Sequence, residues 1–158
     1  MKLCTSMLHY ELSRHYHSIA IQNNYHAFVN CLLFWETPAQ PETCYITDKR
    51  VDDCPSTSIL ITTNGENKHL DCDLILLDQA ISLAELFNAV QRIFQKYDRW
   101  EQSLLQILHT SGSVEQMATI STDIFNNLIA TNDPSFLSIF LAGGGDAEEH
   151  FLKNVSRD

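Results

Sequence analysis

Basic residues are scarce in this chain: ten Lys and Arg stand against twenty Asp and Glu over 158 positions, a formal charge of −10. Such a surplus of acid repels phosphate, which disfavours direct binding to DNA, RNA or an anionic membrane surface. Glycine and proline are also few, five and four, and 44% of the residues are apolar, so a collagen-like repeat and a wholly disordered chain are both excluded. No apolar run reaches membrane-spanning length. The opening Met1-Lys2-Leu3-Cys4-Thr5-Ser6-Met7 lacks a signal-peptide core, so a cytoplasmic protein with no membrane partner is expected. The five cysteines, Cys4, Cys31, Cys44, Cys54 and Cys72, never form a Cys-x-x-Cys pair, and free thiols are expected of them.

Catalytic and cofactor motifs are missing as well. There is no Gly-x-Ser-x-Gly elbow, no Gly-x-Gly-x-x-Gly, no Walker loop and no His-Glu-x-x-His. His9, His15 and His17 are close in sequence, but none makes the i, i+4 pair of a helical zinc site. Asp71, Asp73 and Asp78 lack the Gly and terminal Glu of a calcium loop and read as a solvated acidic segment. No cysteine has a basic neighbour in sequence to lower its pKa, which leaves Cys44 to meet one only through folding. A non-enzymatic protein without cofactor or metal is expected.

What is present is an α+β pattern. Residues 2–17 suit a short helix, with Leu3, Met7 and Leu8, Leu12 at helical steps. Ser18–Gln22 and His26–Trp35 read as two strands of a hairpin around Asn23-Asn24, followed by the Pro-bearing loop 36–42 and a short strand 44–47. Ser58–Thr63 is the strongest strand, with Asn64-Gly65 suited to a tight turn before the strand Leu74–Leu77. The expected sheet is small and mixed or antiparallel. Between Glu36 and Asp78 nine acids face three bases, so most of the net charge lies on these loops.

Ser82-Leu83-Ala84-Glu85 is a capping-box pattern, and no Gly or Pro follows until Gly112, which predicts a long helix over 83–110. Leu86, Ile93, Trp100 and Ile107 recur at seven, with Val90, Tyr97 and Leu104 between them, so each a and d position of three heptads is apolar. The strands upstream could cover only the first four turns or so of this stripe, because a strand of five or six residues spans under about 20 Å. These seven residues are therefore the candidate interface of a homodimer. A second reading is a small-molecule-binding module with its pocket between sheet and helix, lined by Phe34, Trp35 and Tyr45. Ser113-Val114-Glu115-Gln116 repeats the cap and opens a second helix through about 127, with Met117, Ile120, Ile124 and Leu128 on one face. Residues 128–131 and 136–142 then read as a hairpin turning at Asn132-Asp133-Pro134-Ser135, and Gly143-Gly144-Gly145 leads into a polar tail.

The stretch Leu74-Ile-Leu-Leu-Asp78, the helix from Ile81 through Phe87, Tyr97-Asp98 and Trp100-Glu101, and Leu104-Leu-Gln-Ile-Leu108 together resemble the amino-terminal part of PucR/CdaR-type bacterial transcription regulators. The resemblance implies a front domain over 1–81, a connecting helix over 82–111, the start of a GAF-like sensor segment over 112–145, and a polar tail over 146–158. It also implies a regulatory role with a small-molecule effector, and a helix-turn-helix that this stretch does not contain. It carries no effector-binding residue onto this chain.

Overall fold

The structure, a computed structural model, describes residues 1–22, 27–125, 129–132 and 138–143. It is a mixed α+β arrangement in two compact units, Met1–Lys96 and Tyr97–Asp158. In the first unit the elements run β1 (Leu3–Cys4), α1 (Thr5–Ser13), β2 (Ser18–Ile21), β3 (Phe28–Val29), β4 (Cys31–Phe34), β5 (Thr43–Thr47), β6 (Ile59–Thr62), a 3₁₀ turn (Gly65–His69) and β7 (Asp73–Leu77). The helix α2 (Leu83–His109) follows, then α3 (Val114–Phe125), β8 (Ile129–Asn132) and β9 (Ser138–Ala142).

The five-stranded sheet has the order β2-β7-β6-β5-β4. Strands β4 to β7 are parallel to one another and β2 is antiparallel to β7. The expected hairpin of residues 18–22 with 26–35 does not form: β2 and β4 occupy opposite edges of the sheet. Its proposed turn at Asn23-Asn24 lies outside the described residues. β3 pairs instead with β1, Leu3 opposite Val29, which starts the chain as a strand and delays α1 to Thr5.

Asn64-Gly65 is likewise not a hairpin turn, because β6 and β7 run parallel and Ile59 stands beside Asp73. Asn64 has φ −90° and its side chain accepts from the Glu66 amide, so it caps the 3₁₀ turn. Residues 35–42, 48–58 and 63–72 must then each carry the chain back to the starting end of the sheet.

Every residue of β5, β6 and β7 is buried, as expected of strands covered on both faces. One face bears the cross-strand row Leu33, Tyr45, Leu60, Leu74 and Ile21. Val51, Cys54, Leu70 and Cys72 pack on that row, with Ala39 and Trp35 at its margin, so the connections themselves form this layer. The opposite face carries Phe34, Ile46, Ile61 and Ile75, and Phe34 stacks on Phe87 of α2 at 4.4 Å between ring centroids. Helices cover this second face. Leu8 and Leu12 of α1 are buried, as are Leu86, Ala89, Val90, Ile93 and Phe94 of α2.

A layer made of loops brings backbone polar groups into the interior, where each needs a partner. Asn67 supplies several. Fully buried, it accepts from the Val51 amide at 2.8 Å through Oδ1 and donates through Nδ2 to the Lys49 carbonyl at 2.9 Å and to Thr62 Oγ1 at 3.2 Å. Tyr45 ties down the first connection, its hydroxyl accepting from the Gln40 amide at 2.6 Å. The buried Ser58 Oγ accepts from the Thr43 amide and donates to the Gln40 carbonyl. Asp73, expected in a solvated segment, is instead buried at the start of β7 and accepts from the Thr5 hydroxyl in the first turn of α1. A carboxylate there faces the positive end of the helix dipole, which explains why it is tolerated inside.

Asn67→Ala should therefore cost about 2–4 kcal/mol in urea unfolding, because it strands a buried donor and a buried acceptor together. Thr62→Val, which takes the acceptor from the half-buried Asn64 amide and one of two acceptors from Asn67 Nδ2, should cost roughly 1 kcal/mol.

Candidate functional site

The long helix carries the candidate site, and its ends are built from local sequence. Ser82 Oγ accepts from the Glu85 amide at 3.2 Å, the expected cap at the start. At the far end the Gly112 amide donates to the Ile107 carbonyl at 2.8 Å and the Ser111 amide to the Leu108 carbonyl at 3.3 Å. This is the Schellman pairing. Its left-handed residue is Ser111, at φ 56°, rather than glycine. Gly112 is needed for space: a β-carbon there would lie 2.6 Å from Ile107 Cγ2 and 2.5 Å from Gln116 Oε1. The same Gln116 completes the predicted capping box of α3, accepting from the Ser113 amide at 3.0 Å while its own amide donates to Ser113 Oγ.

The boundary between the two units falls inside α2, between Lys96 and Tyr97. The seven seam residues divide accordingly. Leu86, Val90 and Ile93 are buried in the first unit and Tyr97 in the second, so the chain's own packing occupies all four. They are not available to a second copy. Trp100, Leu104 and Ile107 are half-buried. The Trp100 indole nitrogen donates to Ser121 Oγ of α3 at 2.9 Å, and its ring meets Phe125 edge-on at 5.6 Å. Ser121 passes the bond on to the Met117 carbonyl at 2.7 Å.

The buried residues of α3 are Ala118, Ser121 and Ile124; of the predicted face Ile124 is buried, Met117 and Ile120 are half-buried beside it, and Leu128 lies outside the described residues. β8 and β9 form the predicted antiparallel pair, with Ile129 opposite Ala142. Most of the turn between them, and the polar tail, lie outside the described residues. Next to the seam, Leu105 and Leu108 are 50% and 60% exposed, and Val114 and Phe125 of α3 are more than half exposed. Leu105 and Leu108, neither of them a seam position, are three residues apart and so share a face.

The expected pocket of Phe34, Trp35 and Tyr45 does not exist as one site. Adjacent strand residues point to opposite faces. Phe34 stacks on α2, whereas Trp35 lies on the loop-covered face against Tyr45, with ring centroids 5.1 Å apart. Tyr45 is fully buried there.

All five cysteines are free thiols. Cys44 meets no base on folding: it is buried in β5, and burial first, then the neighbouring Cys31, pushes its pKa up. The Cys54 thiol is pushed up as well, first by its hydrogen bond with Cys72 and then by burial. Neither is a thiolate at neutral pH, and the thiolate is the nucleophilic form. Among the described residues no group of three or more His, Cys, Asp and Glu side chains is placed to hold a metal, and no helix is long and apolar enough to cross a membrane.

Comparison with family models, with curated proteins and with solved structures finds no match.

Two measurements bear on the helix end and the thiols. Ser111→Gly should stabilise the chain by about 0.5–1 kcal/mol, because glycine adopts the left-handed conformation without a β-carbon clash, whereas Gly112→Ala should destabilise it by about 1–2 kcal/mol. In thiol titration with a disulfide reagent at pH 8, exposed Cys31 should react at once, and Cys44 and Cys54 only at the rate of unfolding.

Proposed function

We propose that this chain is a non-enzymatic regulatory region of a PucR/CdaR-type transcription regulator, working in the cytoplasm, in which α2 links a front domain to a second unit and pairs with the same helix of another copy. The carrying observation is the change along α2. Up to Tyr97 its seam is consumed by intrachain packing, and beyond it Leu105 and Leu108 are left half exposed or more in a segment otherwise held by α3. Large apolar side chains grouped on one surface favour burial against a partner. A second copy offers a matching stripe without any further specificity, since a two-fold interface uses the same patch twice. The interface is accordingly shorter than the full heptad seam and centres on Leu104, Leu105 and Leu108, with Trp100 and Ile107 at its flank.

With a net charge of −10, this region leaves contact with DNA to another part of the regulator. A change in how the paired helices pack would carry a signal between the units, in the manner of helix shifts at subunit interfaces.

Sedimentation velocity on the wild-type chain at micromolar concentration should give a dimer. The double change Leu105→Asp and Leu108→Asp should give a monomer with unchanged helical circular dichroism, because both positions are already solvent-facing within one copy. A wild-type chain that sediments as a monomer would overturn the pairing.

A further inference from the structure

Between α1 and α2, on the helix-covered side of the first unit, lies an open groove of about 480 Å³ lined by Glu11, Leu12, His15, Tyr16, Ala89, Arg92, Ile93 and Lys96. Its floor is apolar, because Leu12, Ala89 and Ile93 are buried. Its charged groups are unequal. Glu11, with a side chain 9% exposed, is bound by Lys96 at 2.6 Å and approached by Arg14 at 3.7 Å, so its negative charge is answered within the fold. Arg92 is exposed on the groove wall and has no ion pair among the described residues. His15 and Tyr16 add an imidazole and a phenol at the rim, their rings set edge-on to one another.

We propose that this groove binds a small ring-bearing carboxylate, with Arg92 taking the carboxylate and Leu12, Ala89 and Ile93 receiving the ring. Three features select that class. The volume falls in the range of small-molecule sites, and an apolar floor with few convergent polar groups is their usual lining. The guanidinium offers two parallel N–H donors matched to a planar carboxylate, which a neutral ligand cannot answer with equal strength. The apolar floor of Leu12, Ala89 and Ile93 receives a hydrocarbon ring without a desolvated polar group. Glu11 does not oppose an anion here, because Lys96 cancels it. The Glu11–Lys96 pair thus acts as a positioning device: it holds α1 to α2 at the groove and leaves Arg92 to set the sign of the ligand.

The site lies within Met1–Lys96 and does not rest on the pairing of α2. It lies between the two helices that cover one face of the sheet, and not between sheet and helix, where Phe34, Trp35 and Tyr45 were expected to line a pocket.

The test titrates the full chain with benzoate, indole-3-carboxylate and nicotinate, and with benzamide as the neutral counterpart of benzoate, by calorimetry and thermal unfolding. At least one carboxylate should bind with a Kd near or below about 1 mM and raise the unfolding temperature. Benzamide should bind about tenfold or more weakly, and Arg92→Gln should lose about tenfold in affinity for the carboxylate with no loss of fold by circular dichroism. Ala89→Leu, which fills the floor, should abolish binding of every ring. No binding by any of the three carboxylates at about 10 mM, benzamide binding as tightly as benzoate, or Arg92→Gln binding as the wild type would each overturn the assignment. Sedimentation of the same samples reports α2 pairing separately, so the loss of either property is read without the other.

Discussion

The three central strands β5, β6 and β7 are buried along their whole length on both faces, and this obliges the rest of the first unit to supply two covers for one small sheet. Parallel strands normally obtain both covers from crossover helices. Here no α-helix lies between β4 and β7, so the connections themselves must form one layer while α1 and α2 form the other. That constraint decides what each intervening segment contains. Val51, Cys54, Leu70 and Cys72 are apolar residues within loops because the row Tyr45, Leu60 and Leu74 beneath them would otherwise face water.

A cover made of loops has its own requirement, since buried backbone without a regular ladder leaves donors and acceptors open. Three side chains meet it. Asn67 joins the second and third connections, and Tyr45 and Ser58 hold the first. These are polar residues that contribute by satisfying backbone groups rather than by chemistry on a ligand. Glu11 and Asp73 belong to the same class: each is a buried carboxylate with a partner on another element, Lys96 and Thr5 respectively. Removing Lys96 or Thr5 would take a partner from a buried carboxylate, which costs more than the modest net worth of the pair suggests.

What could be read from the sequence divides along the distance over which a residue's fate is decided. The start and length of α2, the capping box of Ser113 and Gln116, and the β8–β9 pair all depend on neighbours within a few positions, and local pattern suffices to place them. Pairing of β2 with β7 joins residues nearly sixty positions apart, and no local signal distinguishes it from the hairpin with β4 that propensity favours. Asn64-Gly65 misleads for a related reason, since the same dipeptide serves a hairpin or caps a 3₁₀ turn according to whether the next strand runs antiparallel or parallel. The split of Phe34 from Trp35 was legible, because a period of two puts them on opposite faces whatever covers each face. The partner of the α2 seam was not: periodicity shows that a stripe is buried, and says nothing of whether sheet, α3 or another chain buries it.

The groove between α1 and α2 follows from the same two-cover arrangement. Two helices laid on one face of a narrow sheet bury their inward residues, Leu8 and Leu12 on one and Leu86 and Val90 on the other, and they meet each other only along their flanks. An apolar pair at that flank would draw the helices together and close the space. Glu11 and Lys96 instead meet through long side chains, with 9% and 31% of each exposed, so the ion pair spans the gap without filling it. A partly exposed pair of this kind contributes little net stability, as Coulomb attraction is offset by desolvation and by ordering two flexible side chains. Its effect is on charge and spacing: it cancels the Glu11 carboxylate and keeps the space above the apolar floor of Leu12, Ala89 and Ile93 open. With the Glu11 carboxylate cancelled, the exposed guanidinium of Arg92 biases a groove on this acidic chain toward an anion over its neutral counterpart.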